Sequence, residues 1–146
     1  MSRNTIHVDT PPEAVWEVLA DPRHYANWVV GASTTRGVDG PWPQVGAVLH
    51  HTQVVVINDT TTVLESEPPR RLVLEAGVRP LAVMRVAVTL EPEGDGTRVV
   101  VEEWPERGPL AALPPALTDP ALHVRNEETV RRLKRLAELG RQLGRA

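Results

Sequence analysis

One amide interrupts an otherwise apolar helical stripe near the C-terminus. At 100° per residue, Leu122, Asn126, Val130, Leu133, Ala137 and Gly140 share one face of a helix read over residues 119–145, with Asn126 near the middle. A buried amide costs ~1–3 kcal/mol unless it is hydrogen-bonded. This face is therefore expected to look onto a cavity rather than a filled core. Asn126 could hydrogen-bond a ligand carbonyl or hold a backbone group. Thr129 flanks it, and His123 lies at the edge of the face.

A carboxylate on the opposing surface follows from the register of a hairpin. A turn centred on Gly94-Asp95 sets Leu90 opposite Val99, Val88 opposite Val101 and Val86 opposite Glu103. The other face then pairs Glu91 with Arg98 and Arg85 with Trp104, both favourable cross-strand neighbours. Glu103 thereby lies on the apolar face, where desolvation disfavours the charged carboxylate unless a cation or amide pairs with it. A rim position reaching solvent is the plainer alternative.

His50 and His51 are adjacent on a strand, so one faces inward and the other outward. The local alternation fits either assignment. An inward histidine titrating near neutrality could move protons; a half-exposed strand histidine is the bland reading. Tyr25 is the one phenol available as an acid. No phosphate loop or nucleophile elbow is present, and histidines at 7, 24, 50, 51 and 123 lack metal-ligand spacing. The absence of Cys excludes disulfides, thiol catalysis and thiolate metal sites, and fits a reducing cytoplasm. Neither metal nor cofactor is expected.

The elements that must position these residues are legible from periodicity. A strand over residues 5–9 leads to Thr10-Pro11-Pro12-Glu13, a capping box opening a helix that buries Ala14, Val15, Val18 and Leu19. Asp21 caps a second short helix over 22–28. Strands are expected at 48–57 and 60–67, joined by a turn at Asn58-Asp59, then at 72–78, 82–90 and 97–104. Residues 108–119, rich in proline, form a stiff connector to the final helix. Arg131, Arg132, Lys134 and Arg135 lie away from the Asn126 face.

A length of 146 residues predicts a single domain over 1–146 with one core. A net charge of -3 gives no pull toward nucleic acid or anionic membrane. No apolar run approaches a membrane span, and no secretion signal is read at the start, so the protein is expected in the cytoplasm. With no Phe, the interior must be largely Val, Leu and Ala, which fill volume less generously than rings and favour a residual void.

Strand, two short helices, about six strands and a long helix is the helix-grip order. The segment Ile6-His7-Val8-Asp9-Thr10-Pro11-Pro12-Glu13-Ala14-Val15-Trp16 resembles the start of the START-like (SRPBCC) superfamily, often labelled polyketide cyclase/dehydrase. Asp21-Pro22-Arg23-His24-Tyr25-Ala26-Asn27-Trp28 is similar to its second-helix motif. Val45-Gly46, Pro68-Pro69-Arg70-Arg71-Leu72 and Gly96-Thr97-Arg98-Val99 match further along. The resemblance covers nearly the whole chain. It implies an α+β helix-grip fold: a curved antiparallel sheet of about seven strands wrapped around a long C-terminal helix, with two short helices between the first two strands. A pocket would lie between sheet and helix. The superfamily includes ligand carriers, cyclases, dehydratases, hydrolases and chaperone cofactors, so likeness of fold does not select an activity. The Rieske spacing of its ring-hydroxylating branch is absent, as is the C-terminal motif of its chaperone-activator branch.

Aligned on Gly46, the family pattern turns Leu49 inward and with it His51 and Gln53. Trp28 and Trp42 fall near the pocket mouth, where rings can stack on a flat ligand or plug the core. Met84, Val86, Leu122, Asn126, Thr129, Val130 and Leu133 are the remaining expected ligand contacts. The resemblance implies a cavity for an apolar, cyclic or polyketide-like small molecule. As an enzyme it would be lyase-type, running aldol-type cyclisation or dehydration without metal. His51 or Glu103 would take a proton next to a carbonyl, while Asn126 and Tyr25 hold the oxyanion. The alternatives are a non-catalytic lipid or metabolite carrier or sensor, and a protein-interaction module using the outer face near Arg85 and Trp104. The long strands could also pair edge to edge as a homodimer.

Overall fold

The computed structural model describes residues 1–30, 32–53 and 57–144; the side chains of 33, 34, 53, 57, 58 and 141–144 lie outside the description. Seven strands form, with apolar alternation clearest in the β6–β7 hairpin: β1 (Ser2–Val8), β2 (Ala32–Asp39), β3 (Val48–Gln53), β4 (Ile57–Glu67), β5 (Arg71–Val78), β6 (Ala82–Glu93) and β7 (Gly96–Arg107). They form one antiparallel sheet in the order β1-β7-β6-β5-β4-β3-β2. Between β1 and β2 run α1 (Pro12–Ala20), a 3₁₀ turn (Pro22–His24) and the single-turn α2 (Tyr25–Trp28). The chain ends in α3 (Pro115–Gly144). This is the helix-grip fold.

The β6–β7 hairpin has the expected register, pairing Leu90 with Val99, Val88 with Val101, Val86 with Glu103 and Arg85 with Trp104. On the outer face, Arg85 and Trp104 both reach Glu106, at 3.3 and 2.8 Å. Asp21 caps the 3₁₀ turn by accepting from Arg23 N.

Three local expectations are corrected. Asn58-Asp59 is not the β3–β4 turn: Asn58 pairs with Thr52 and Asp59 with His51 inside the ladder. Asp59 is held there as a buried carboxylate, accepting from Thr60 N and Arg79 N (both 2.8 Å) and pairing with the Arg79 guanidinium. These partners outweigh the residue's local turn preference. The capping box does not form either. Pro11 occupies the N-cap, Thr10 Oγ1 has no partner among the described residues, and the Thr10 carbonyl accepts from Thr97 Oγ1 at 2.7 Å. Finally, α3 begins at Pro115, so residues 115–119 are helical rather than connector. Proline is compatible with a first helical turn, and the helix continues through Pro120 at the loss of one backbone bond.

Helix α3 packs across the sheet and α1. Val130, Leu133 and Ala137 join Val15, Val18 and Leu19 of α1 and Leu72, Val88, Leu90 and Val99 of the sheet in one apolar core. Polar ties fix its edge to β1: Asn4 Nδ2 donates to His123 O and Glu127 Oε1, and Lys134 Nζ donates to His7 O at 2.9 Å. A second, smaller cluster gathers Ala76, Ala82 and Met84 with Val78, Leu110 and Leu122 near the N-terminal part of α3. The core is thus divided, with mostly short side chains at the second end.

Asp59 also explains a glycine. A Cβ on Gly77, across the β4–β5 ladder, would run into the Asp59 carboxylate. Gly77→Ala is expected to cost ~1–3 kcal/mol by overpacking. Chemical denaturation measures this, and an unchanged midpoint would show that the carboxylate is free to move aside.

Candidate functional site

Between the two clusters lies a cavity of about 170 Å³. Its sheet wall is Leu74, Ala76, Val78, Met84, Val86, Val101 and Glu103; Leu122, Arg125, Asn126 and Thr129 of α3 form the other side. Tyr25 and Trp28 close one end, three residues apart on a single turn of helix, their rings edge-on at 5.6 Å. The walls are almost wholly apolar apart from one cluster.

That cluster is built on Glu103, whose side chain is 3% exposed. Its Oε1 accepts from Arg125 Nη1 at 2.7 Å and from Asn126 Nδ2 at 2.8 Å. Arg125 also donates Nε–H to Val30 O at 2.8 Å, so one guanidinium bridges β7, α3 and the segment after α2. The misplaced amide and the misplaced carboxylate are therefore partners. Both the cation and the amide that a buried carboxylate requires are supplied by consecutive residues of one helix.

A second polar system lies behind the cavity's aromatic end. Tyr25 OH and Thr61 Oγ1 are 2.7 Å apart, and His51 Nε2 is 2.8 Å from the same oxygen. His51 faces inward and is fully buried, its ring 5.3 Å from that of Tyr25, while His50 faces out to Asp39 at 2.7 Å. Burial lowers the His51 pKa, opposed by the nearby Asp59 charge. Burial likewise raises the Tyr25 pKa to about 12, an effect that outweighs its bond to Thr61. His51 Nδ1 and Trp28 Nε1 are buried with no partner among the described residues.

The cavity gathers Glu103, Tyr25, Asn126, Trp28, Met84, Val86, Leu122 and Thr129 from the expected site residues. His51 lies outside it, separated by its bond to Thr61 and its contact with Tyr25. The Tyr25 hydroxyl is directed at Thr61, so the residue's ring borders the cavity while its polar atom is already engaged. Trp42 packs edge-on against Tyr25 at 6.3 Å and donates to Leu19 O at 3.1 Å, plugging the core instead. Val130 and Leu133 are not in the cavity wall, because α3 meets α1 and the sheet directly there. The Gln53 side chain lies outside the described residues. His123 is exposed beside Glu127, and Gly140 is exposed beyond the packed part of the stripe. Sequence reasoning missed Arg125. A carboxylate assigned to the inner face demands a cation, and Arg125, one step from Asn126, was the signal.

Among the described residues no helix is long and apolar enough to cross a membrane, and no group of His, Asp and Glu is placed to hold a metal ion.

Because His51 is buried with a lowered pKa, the unfolded chain binds its proton more readily than the native state. Its contribution to stability is full above 6.5, the ordinary histidine value, and is lost as pH falls from there through the lower folded value. Thermal midpoints between pH 8 and 5 are expected to fall more steeply for the wild type than for His51→Gln. Parallel pH profiles for the two proteins would remove His51 as the cause.

This geometry sits on a backbone shared with solved structures. DynU16, from the dynemicin biosynthetic locus, superposes with a TM-score of 0.69 at 23% identity, covering 95% of this chain and 47% of that one. CalU16 from Micromonospora echinospora gives 0.64 at 22% identity, covering 95% and 76%. The di-domain ARO/CYC BexL, from the BE-7585A biosynthetic pathway, gives 0.69 at 17% identity, covering 93% and 49%. The chain spans about half the length of DynU16 and of BexL. At these identities the likeness establishes the fold alone. None of the curated proteins is a sequence match. The family described as polyketide cyclase / dehydrase and lipid transport matches residues 2–138. With that match running through every strand and most of α3, the chain belongs to the polyketide cyclase / dehydrase and lipid transport family.

Proposed function

We propose that this protein binds an apolar, ring-containing or polyketide-like small molecule in the cavity between the sheet and α3, and that the chemistry suited to the site is aldol-type cyclisation with dehydration. The observation that carries the reading is a lone carboxylate in an apolar cavity, braced on one oxygen by Arg125 and Asn126. Family membership supports the ligand class. So do the biosynthetic settings of DynU16 and BexL.

In this scheme Glu103 takes a proton from a carbon between two carbonyls, and the resulting enolate oxygen is stabilised by the remaining N–H groups of Arg125. The enolate carbon attacks a second carbonyl of the same chain, forming the C–C bond. Glu103 returns that proton to the new alkoxide; the regenerated carboxylate then takes the remaining proton of the same carbon and passes it to the departing hydroxyl, which leaves as water and gives the unsaturated ring. His51 has no place in these steps, since it does not border the cavity. Tyr25 supplies a wall rather than an acid, because its hydroxyl is engaged by Thr61 and held protonated by its raised pKa.

The carrier reading shares the cavity and differs only in turnover. Nonane-2,4,6,8-tetraone separates the two. Accelerated formation of an aromatic product, followed by its ultraviolet absorbance and reduced at least about a hundredfold in Glu103→Ala, supports the lyase. Saturable binding without product assigns the protein as a carrier. Ala76→Trp, which fills the cavity, should abolish either behaviour, and undiminished binding in that variant would place the ligand elsewhere.

A further inference from the structure

Two acceptor atoms in the cavity wall have no donor among the described residues. Glu103 commits Oε1 to Arg125 and Asn126, while its Oε2 accepts no hydrogen bond from any described residue and is not among the sealed, partnerless atoms. Asn126 is oriented by its partner. A carboxylate oxygen can only accept, so the amide nitrogen faces Glu103 and Oδ1 is left over. Both residues are about 2% exposed, so what can reach these atoms comes through the cavity they border.

The rest of the wall offers such atoms no donor from Tyr25, whose hydroxyl is taken by Thr61. The Thr129 hydroxyl leans on Arg125 O at 3.5 Å. A carbonyl or ether oxygen set against Glu103 Oε2 would oppose lone pair to lone pair. A hydroxyl would meet it with a proton, and an O–H donor to a carboxylate makes one of the stronger hydrogen bonds. The Arg125 guanidinium already balances the carboxylate, so an ammonium group would bring unmatched charge into an apolar space. The cavity volume of about 170 Å³ is close to the ~150 Å³ that accommodates benzene in an engineered apolar cavity.

We propose that the cavity selects its ligand by a neutral phenolic or enolic hydroxyl on a single substituted ring, which donates to Glu103 Oε2 with Asn126 Oδ1 as the neighbouring acceptor. This rests on the cavity being the ligand site. It adds the polarity of the group that faces Glu103 Oε2 and Asn126 Oδ1: a donor, beside the substrate oxygen that accepts from the remaining N–H groups of Arg125.

Isothermal titration of the wild-type protein with p-cresol, 4-methylanisole, p-xylene and 4-methylbenzylammonium tests it. p-Cresol should bind about tenfold tighter than 4-methylanisole, which has the same ring and an oxygen that can only accept. Glu103→Gln puts an N–H where Oε2 stood, and the preference should shrink below about twofold or reverse. The ¹³C carboxylate signal of Glu103 in the wild type, which needs no variant, should move with p-cresol and stay with p-xylene. Equal or weaker binding of p-cresol than of 4-methylanisole or p-xylene overturns the inference and leaves the cavity as a ligand site. Tighter binding of the ammonium overturns the neutral handle. Failure of all four to bind overturns both the inference and the reading beneath it.

Discussion

A charge on the inner face of a sheet persists only if something brings donors to it. Here Glu103 is that charge, and α3 brings the donors, Arg125 and Asn126, at 2.7 and 2.8 Å. Removing one partner from a buried ion pair commonly costs ~3–5 kcal/mol, far more than one apolar contact. The rotation of α3 about its axis is therefore constrained at this level by a polar requirement, not only by its apolar stripe. One turn on, Val130 and Leu133 pack directly into the core. At Glu103 the space between helix and sheet holds a guanidinium and an amide, and the short side chains of Ala76 and Val78 line the cavity beside them.

The two buried polar systems differ in what they leave open. In the Tyr25–Thr61–His51 chain the Thr61 hydroxyl meets both the Tyr25 hydroxyl and His51 Nε2, and the ring of Tyr25 is turned to the cavity. It supports the aromatic end of the cavity. The Glu103 cluster instead gives one carboxylate oxygen two donors and the other none among the described residues. An arrangement built for stability alone would distribute the two donors over the two oxygens. The asymmetry is what gives the cavity a chemical direction, since the open oxygen can only accept.

Much of this was legible before any coordinates. The β6–β7 register followed from one turn and two faces that agreed, and it put Glu103 inside by arithmetic, because side chains alternate strictly along a strand. The Asn126 position followed in the same way from helical period. Where local signals competed with distant partners, the partners won. Asp59 carries a turn preference yet lies in the ladder, held by Arg79, and Thr10 carries a capping hydroxyl yet leaves it unused while its carbonyl meets Thr97.

The sequence by itself determined the order of elements, the inward faces of the β6–β7 hairpin and of the final helix, and the fact that a carboxylate and an amide had to be reconciled with an apolar interior. Those are consequences of periodicity, which acts over a few residues. Only the tertiary structure decided that Glu103 and Asn126 are each other's solution, that Arg125 completes them, and that His51 turns to Thr61 and away from the cavity. Such pairings depend on where α2, α3 and the sheet come to rest against one another. A few ångströms separate a hydrogen bond from an empty space, and no local pattern carries distances of that kind across 22 or 36 residues of chain.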